Sequence, residues 1–186
     1  MLTLTQSKSS DDLQGIIALQ RANLKALITV EEKDAQGFVF VQHSLADLQK
    51  LDAIESQVVA LDGDKVVAYI LAMTKASKSD IPQLIPMFNQ FDQVAYNGKK
   101  VSSYNYLAVG QVCIGKEYRG KGLFESCYGY YREVFSGKYD FAITEISTSN
   151  LRSLRAHHRV GFEGVHTFHD GVEEWNIVIW DWWKKS

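Results

Sequence analysis

The residues best equipped for chemistry lie between Val109 and Phe135. An apolar run, Val109-Gly110-Gln111-Val112-Cys113-Ile114, leads into Glu117-Tyr118-Arg119-Gly120-Lys121-Gly122, and a helical pattern begins at Leu123. The order is strand, glycine-rich turn, helix. The start of a helix bares backbone N–H groups with no partner inside the helix, and its dipole favours negative charge at that end. Gly120 and Gly122 carry no side chains, so a phosphate can approach the main chain, and Arg119 and Lys121 set positive charge beside it. The segment reads as a pyrophosphate cradle. Its purely structural reading is a tight strand-to-helix turn with two solvated cations. Two familiar phosphate loops do not fit. A P-loop closes with Gly-Lys-Ser/Thr, whereas Gly122 follows Lys121; the dinucleotide fingerprint needs a third glycine where Glu125 stands.

At Arg119-Gly120-Lys121-Gly122-Leu123-Phe124 the chain resembles the acetyl-CoA signature of the GNAT superfamily of N-acetyltransferases, Gln/Arg-x-x-Gly-x-Gly/Ala. Arg119 fills the first place and Gly122 the fourth; Phe124 departs from the final Gly/Ala. Downstream, Asn150, Ser153, His157 and Gly161-Phe162 are similar to a second pattern of the superfamily, in which a Tyr stands where this chain has His157. The two matches span the C-terminal half, and their joint occurrence in order is far more specific than either alone.

The resemblance implies an acetyl-CoA-dependent N-acetyltransferase that moves an acetyl group to a primary amine, with no metal. The alternative is a non-catalytic acyl-CoA-binding sensor or interaction module. The implied fold is α/β, a mixed and mostly antiparallel central sheet flanked by helices and splayed at its centre for CoA. The cofactor would be held by the turn residues Arg119, Gly120, Lys121 and Gly122, by Leu123 and Phe124 in the first helical turn, and by Asn150 and Ser153. Backbone groups of Val112 and Ile114 would pair with the pantetheine arm, while their side chains pack in the core. Asn150 also suits the N-cap of the following helix. Arg152 and Arg155 are placed to approach the CoA phosphates, although solvated helix positions suit them better.

Acyl transfer from a thioester to an amine requires that the amine lose a proton and that the departing thiolate gain one. Glu145 is the candidate base: it lies near the end of a buried-looking strand, where desolvation raises a carboxyl pKa. A Glu at this spacing is the proposed base in the bacterial ribosomal-protein N-acetyltransferases of the superfamily. A structural carboxylate is the competing reading. His157 is the candidate acid, since it stands in place of the thiolate-protonating Tyr and imidazolium donates protons near neutral pH. A helix histidine that only packs or hydrogen-bonds is its competing reading.

The acceptor, a small-molecule or peptide amine, is poorly encoded. Glu31, Glu32, Glu173 and Glu174 would draw a cationic amine, although solvated surface is the default for all four. Tyr104 and Tyr106 precede the central strand and are placed to shape a pocket. Trp175, Trp180, Trp182 and Trp183 crowd the end of the chain. Alternation buries some of them, and any exposed ones would form a binding wall or a homodimer surface.

The elements that must position these residues are those of one domain over 1–186. The chain of 186 residues is 46% hydrophobic and 23% charged, as in an ordinary soluble protein with a sizeable core. A formal net charge of −2 argues against nucleic acid as a partner, and no apolar run is long enough to span a membrane. The first ten residues lack a basic start and an apolar core, so no secretory signal is expected. Cys113 and Cys127 form no disulfide framework, which points to a reducing cytoplasm, and both read as small buried hydrophobes.

Asp11-Asp12 is expected to cap a helix reaching about Ile28, and Ser44 a second over Leu45–Leu51. Gln57–Leu61 and Lys65–Met73 are expected strands joined through Asp62-Gly63-Asp64. Lys75 to Asp80 reads as a loop. Pro82 and Pro86 permit a helix before Asp92 only with a break or a late start. Val101–Ile114 is the long central strand, with a bulge expected near Gly110. A strand over Tyr139–Ile146 and a helix over Ser149–Val160, ended by a left-handed Gly161, complete the motif region. A hairpin of Gly164–His169 and Glu174–Trp182 follows.

Overall fold

The computed structural model describes residues 2–24, 39 and 41–183. The strands are β1 (Leu2–Gln6), β2 (Val58–Asp62), β3 (Lys65–Met73), β4 (Ala95–Tyr96), β5 (Lys99–Lys100), β6 (Leu107–Ile114), β7 (Phe141–Ser147), β8 (Glu163–His169) and β9 (Glu174–Asp181). The helices are α1 (Ser10–Arg21), α2 (Leu45–Ile54), α3 (Ser77–Asp80), α4 (Ile85–Gln93), α5 (Leu123–Phe135) and α6 (Leu151–Val160). Seven strands form one sheet in the order β1-β2-β3-β6-β7-β9-β8, and β4 and β5 form a separate ribbon. Every pair in the large sheet is antiparallel except β6 with β7. This is the mixed, mostly antiparallel α/β sheet the sequence implied.

The parallel pair decides the architecture. β6 and β7 pair only at Leu107↔Ala142 and Ala108↔Ile143. One further link, the Thr144 Oγ1 hydroxyl donating to the Val109 carbonyl at 2.7 Å, marks where the strands part. The bulge expected near Gly110 is present: β3 residues Ile70 and Ala72 face β6 residues Val112 and Val109, so β6 carries an extra residue there. A bulge bends its strand and interrupts the ladder, and this one lies at the start of the divergence. Gly110 is required by packing, because a Cβ on it would stand 2.1 Å from the Met73 Sδ.

Each face of the sheet has its own apolar layer. α1, α2 and α4 cover one face with Leu13, Ile16, Leu48, Leu51, Phe88 and Phe91. α5 covers the other, burying Leu123, Cys127, Tyr128, Tyr131 and Phe135. That stripe recurs at helical spacing, while the remaining positions meet solvent. β3 lies between both layers and is buried from Val66 to Met73, which explains its unbroken apolar run. Trp180 and Trp182 belong to the α5 layer, Trp175 is half-buried, and Trp183 is exposed. Both cysteines are free and buried, and burial pushes their thiols up to about 11 (Cys113) and about 12 (Cys127), so they are small core residues.

Several boundaries differ from expectation for local reasons. α1 is capped by Ser9, with Asp12 closing a capping box, and it ends at Arg21; Ala22 to Leu24 leave the helix through a turn, Leu24 bridging Val39, and the rest of the anticipated helix, with Leu27 and Ile28, lies outside the described residues. β1 was not anticipated. Its half-buried pattern follows from its place at the sheet edge, paired only with β2. The central strand starts at Leu107, because Val101–Ser103 turns as a 3₁₀ segment. Tyr106 before it stacks on Phe141 and Phe88 within the core. A one-turn helix, α3, replaces the 75–80 loop, and α4 starts late, after a 3₁₀ turn over Pro82–Leu84.

Candidate active site

The divergence of β6 and β7 opens a groove of about 600 Å³ on the α5 and α6 side. Val112, Cys113 and Ile114 of β6 form one wall, the turn from Tyr118 to Phe124 closes one end, and Asn150, Arg152, Ser153, Arg155 and Arg159 of α6 and its cap form the other wall. All the expected cofactor residues except Lys121 line it: Val112, Ile114, Arg119, Gly120, Gly122, Leu123, Phe124, Asn150 and Ser153. Lys121 is exposed, with its ammonium 6.0 Å from the Tyr118 ring centroid and outside the lining. Its side chain therefore does not supply the charge expected inside the cradle.

The turn leaves its main chain uncovered by side chains at Gly120 and Gly122. Gly120 (φ +71°) and Gly122 (φ +76°) both adopt the left-handed conformation, and a Cβ on either would meet open space. Gly122 is the N-cap of α5 and offers no capping side chain, so the first N–H groups of the helix receive no side-chain acceptor from their cap. The Arg119 guanidinium is turned inward. Its Nε donates to the Ile114 carbonyl at 2.8 Å and its Nη2 to Asn23 Oδ1 at 2.5 Å. Arg119 thus fastens the turn to β6 and to the residues after α1, and keeps its positive charge at the groove. Arg152, Arg155 and Arg159 bring three more cations into the lining. Their spacing (i, i+3, i+7) sets them along one side of α6, and all three are exposed, as the solvated reading of Arg152 and Arg155 expected. Arg159 is tied to Glu125 of α5 at 3.2 Å.

On the opposite face lies a second cavity of about 260 Å³, and the two share Val39, Val112, Asn150 and Ser153 in their walls. Glu145 of β7 lines this second space, together with His157, Val41, His43, Asp47, Met73, Ile81, Leu84, Met87, Gln111 and Trp175, so both candidate catalytic residues border one cavity. Glu145 shares the face of Phe141 and Ile143, as strand alternation requires. Its Oε2 is sealed from solvent and has no hydrogen-bond partner among the described residues. Burial, with a smaller contribution from Asp170, pushes its carboxyl up to about 7. Asp170 stays ionised, held down to about 2 by the backbone N–H groups of Glu173 and Val172. Glu173 and Glu174 line neither cavity, and Glu31 and Glu32 lie outside the described residues.

Asn150 is buried and caps α6, its Oδ1 accepting from the Ser153 N–H at 3.3 Å. It lines both cavities at their junction, so its two expected roles coexist. Gly161 ends α6 with φ +118°, as anticipated.

His157 is corrected. Its imidazole is buried (3% exposed), and Nδ1 lies 2.8 Å from the Ser153 carbonyl, which can only accept; that nitrogen therefore carries the proton. Nε2, 2.7 Å from the Tyr128 hydroxyl, accepts from it. Burial pulls the imidazole down to about 4, against a smaller opposing pull from the Ser153 carbonyl. A neutral ring with both nitrogens engaged is not a proton donor at neutral pH. The aromatic layer explains the burial: Phe124, Tyr128 and Phe162 stand 5.2, 5.4 and 5.1 Å from the ring. Phe124, the departure from the signature, is thus one wall of the His157 pocket. Among the described residues there is no group of His, Cys, Asp and Glu suited to a metal ion, and no helix is long and apolar enough to cross a membrane.

No protein-family model matches the chain, and no curated protein matches it in sequence. Solved structures do match. The chain is similar to a GNAT-family acetyltransferase from Streptococcus agalactiae (11% identity, TM-score 0.67, covering 100% of this chain and 96% of that one). It is similar to the ribosomal-protein-S18-alanine N-acetyltransferase from Escherichia coli (11% identity, TM-score 0.64, 100% and 97% covered). A third match is a chain of the NatC complex bound to Gag peptide and CoA (11% identity, TM-score 0.65, 97% and 98% covered). With its splayed β6–β7 pair and its glycine turn at the start of α5, this chain has the GNAT acetyltransferase fold.

Proposed function

We propose that the protein is an acetyl-CoA-dependent N-acetyltransferase. One observation carries this reading: an anion-ready groove and a cavity holding a buried, proton-hungry carboxylate meet at shared residues, Val112, Asn150 and Ser153. The groove suits CoA. The N–H groups around Gly120, Gly122 and Leu123 face a pyrophosphate, and the arginines of α6 add charge. The β6 edge freed by the divergence offers backbone groups from Val112 to Ile114 for the amides of the pantetheine arm. Acetyl-CoA, when bound, supplies the activated acetyl group. Glu145 takes a proton from the acceptor ammonium on the far side of the gap. Its carboxyl, raised to about 7, is poised for that task at neutral pH. Positioning of two substrates across the gap supplies much of the remaining rate.

The alternative is CoA binding without transfer, and His157 favours it, since a neutral, fully engaged imidazole gives no thiolate acid. Thiol release from acetyl-CoA over an amine panel separates the two, with calorimetric titration of CoA alongside. Tight CoA binding with transfer to at least one amine supports the enzyme. Tight binding with no transfer to any amine supports the sensor, and no binding of CoA overturns both.

A further inference from the structure

The second cavity has a chemistry of its own. Its apolar walls come from Val41, Met73, Ile81, Leu84 and Met87, which join the segment before α2, the end of β3 and the α3–α4 region. Met73 and Met87 are both of the chain's methionines apart from Met1. Unbranched, polarizable side chains adapt to apolar ligands of varied shape. Neutral polar side chains, Gln42, Gln83, Gln111, Thr144, Ser147 and Asn150 among them, complete the walls, and the charge is one-sided. Glu145 and Asp47 line the cavity, and among its described lining residues there is no Lys or Arg. Asp47 stays ionised, because hydrogen bonds from Ser44 hold its carboxyl below the usual range. His43, which also lines it, is buried, and burial pulls its imidazole towards the neutral form. The Glu145 Oε2 atom lacks a hydrogen-bond partner among the described residues. At about 260 Å³ the space falls below the roughly 300–1,000 Å³ of pockets that enclose a whole drug-sized ligand. It takes one end of a molecule.

We propose that this cavity selects a primary ammonium attached to an apolar body no larger than a single large side chain, the charge towards Glu145 and the apolar body against Ile81, Leu84 and Met87. A free alkylamine and the apolar first residue of a peptide share this chemistry. This rests on the acyl-transfer reading only for the fate of the amine; selection itself is a binding property.

The test is calorimetric titration of amines into the protein saturated with CoA, which carries no acetyl group to transfer. Hexylamine should bind about a hundredfold more tightly than methylamine. Met87→Gln and Leu84→Gln should each shrink the preference for hexylamine several-fold, while CoA affinity and thermal unfolding report that the fold is kept. A leucine-led dipeptide amide binding more tightly than leucinamide identifies a peptide N-terminus as the source; equal binding identifies a free amine. Equal or tighter binding of methylamine, or a preference unchanged in both variants, overturns the proposal. Turnover with acetyl-CoA is measured separately. Lost turnover with the preference intact removes catalysis alone, and turnover on polar or acidic amines with no apolar preference removes this selection alone.

Discussion

The groove on the α5–α6 side and the cavity on the α1–α4 side are two halves of one gap, yet they are made in opposite ways. The groove is main chain and cations: Gly120, Gly122, the start of α5, and the arginines of α6. The cavity is mostly side chains, apolar and neutral polar with two carboxylates, drawn from Val41, Asp47, Met73, the 81–87 segment, Glu145, His157 and Trp175. Backbone N–H groups at a helix start bind any phosphate ester alike, so the groove specifies a handle. Side-chain walls discriminate shape and charge, so in the proposed function the cavity selects what receives the acyl group. Only Val39, Val112, Asn150 and Ser153 belong to both. A substitution confined to one half should therefore leave the other half's ligand unaffected, and this separation can be broken experimentally.

The largest expected effect is on the cavity side. Glu145→Gln should lower turnover by about 10²–10⁴-fold, the range of a general base, with CoA affinity unchanged. In the parent the rate should climb with pH through about 7 as Glu145 ionises, and the variant should lose that limb; pH–rate profiles of both decide it. Stability should move the other way. Folding raises this carboxyl from 4.5 to about 7, so the folded protein keeps a proton that the unfolded chain releases between those values. The parent is therefore weakened as pH rises across that window, and Glu145→Gln should be spared, which denaturation at pH 5 and pH 8 would reveal.

On the groove side, Gly122→Asp should reduce CoA affinity by about a hundredfold, because it puts a carboxylate into the cradle and a side chain onto φ +76°. Amine binding in the absence of CoA should be unaffected. If calorimetry finds CoA affinity intact in the folded variant, the phosphates sit elsewhere and the division of labour fails.

His157 tests the boundary between chemistry and structure. His157→Phe strands the Tyr128 hydroxyl in the core and should cost about 1–3 kcal/mol of stability, while the alkaline limb of the rate profile stays where it was. A limb that vanishes in the variant would restore the acid role. The linkage is that of a buried neutral base. The imidazole's pKa falls from 6.5 to about 4 on folding, so its contribution is full above 6.5 and is lost as pH falls towards 4. The variant should show a flatter acid decline in thermal stability.

The smallest effect is expected at the bulge. Gly110→Ala drives a methyl into the Met73 thioether, 2.1 Å from Sδ, and overpacking of this kind costs about 1–3 kcal/mol, at the low end where a flexible Met end can shift. Because Met73 lines only the cavity, amine binding should weaken a few-fold and CoA binding should stay constant. Parallel titrations of the two ligands check this.

The groove half, proposed here to hold the cofactor, was legible in the residues because it is local. A strand, a glycine turn and a helix start lie within one short stretch, and the left-handed Gly120 and Gly122 with the side-chain-free cap follow from residue type alone. Glu145 on a buried strand and the Gly110 bulge were likewise readable, since desolvation and an extra strand residue act where they occur. The tertiary structure decided what depends on distant neighbours. It turned Arg119 inward onto Asn23 and Ile114, and it moved Lys121 out of the cradle. It brought the α6 arginines to the groove and assembled the acceptor walls from segments far apart in the chain. Most of all it decided His157. Its place in the sequence matched a proton donor, but a titratable group's charge is set by what surrounds it. Tyr128, Phe124 and Phe162, drawn from other parts of the chain, leave that ring dry, neutral and hydrogen-bonded at both nitrogens.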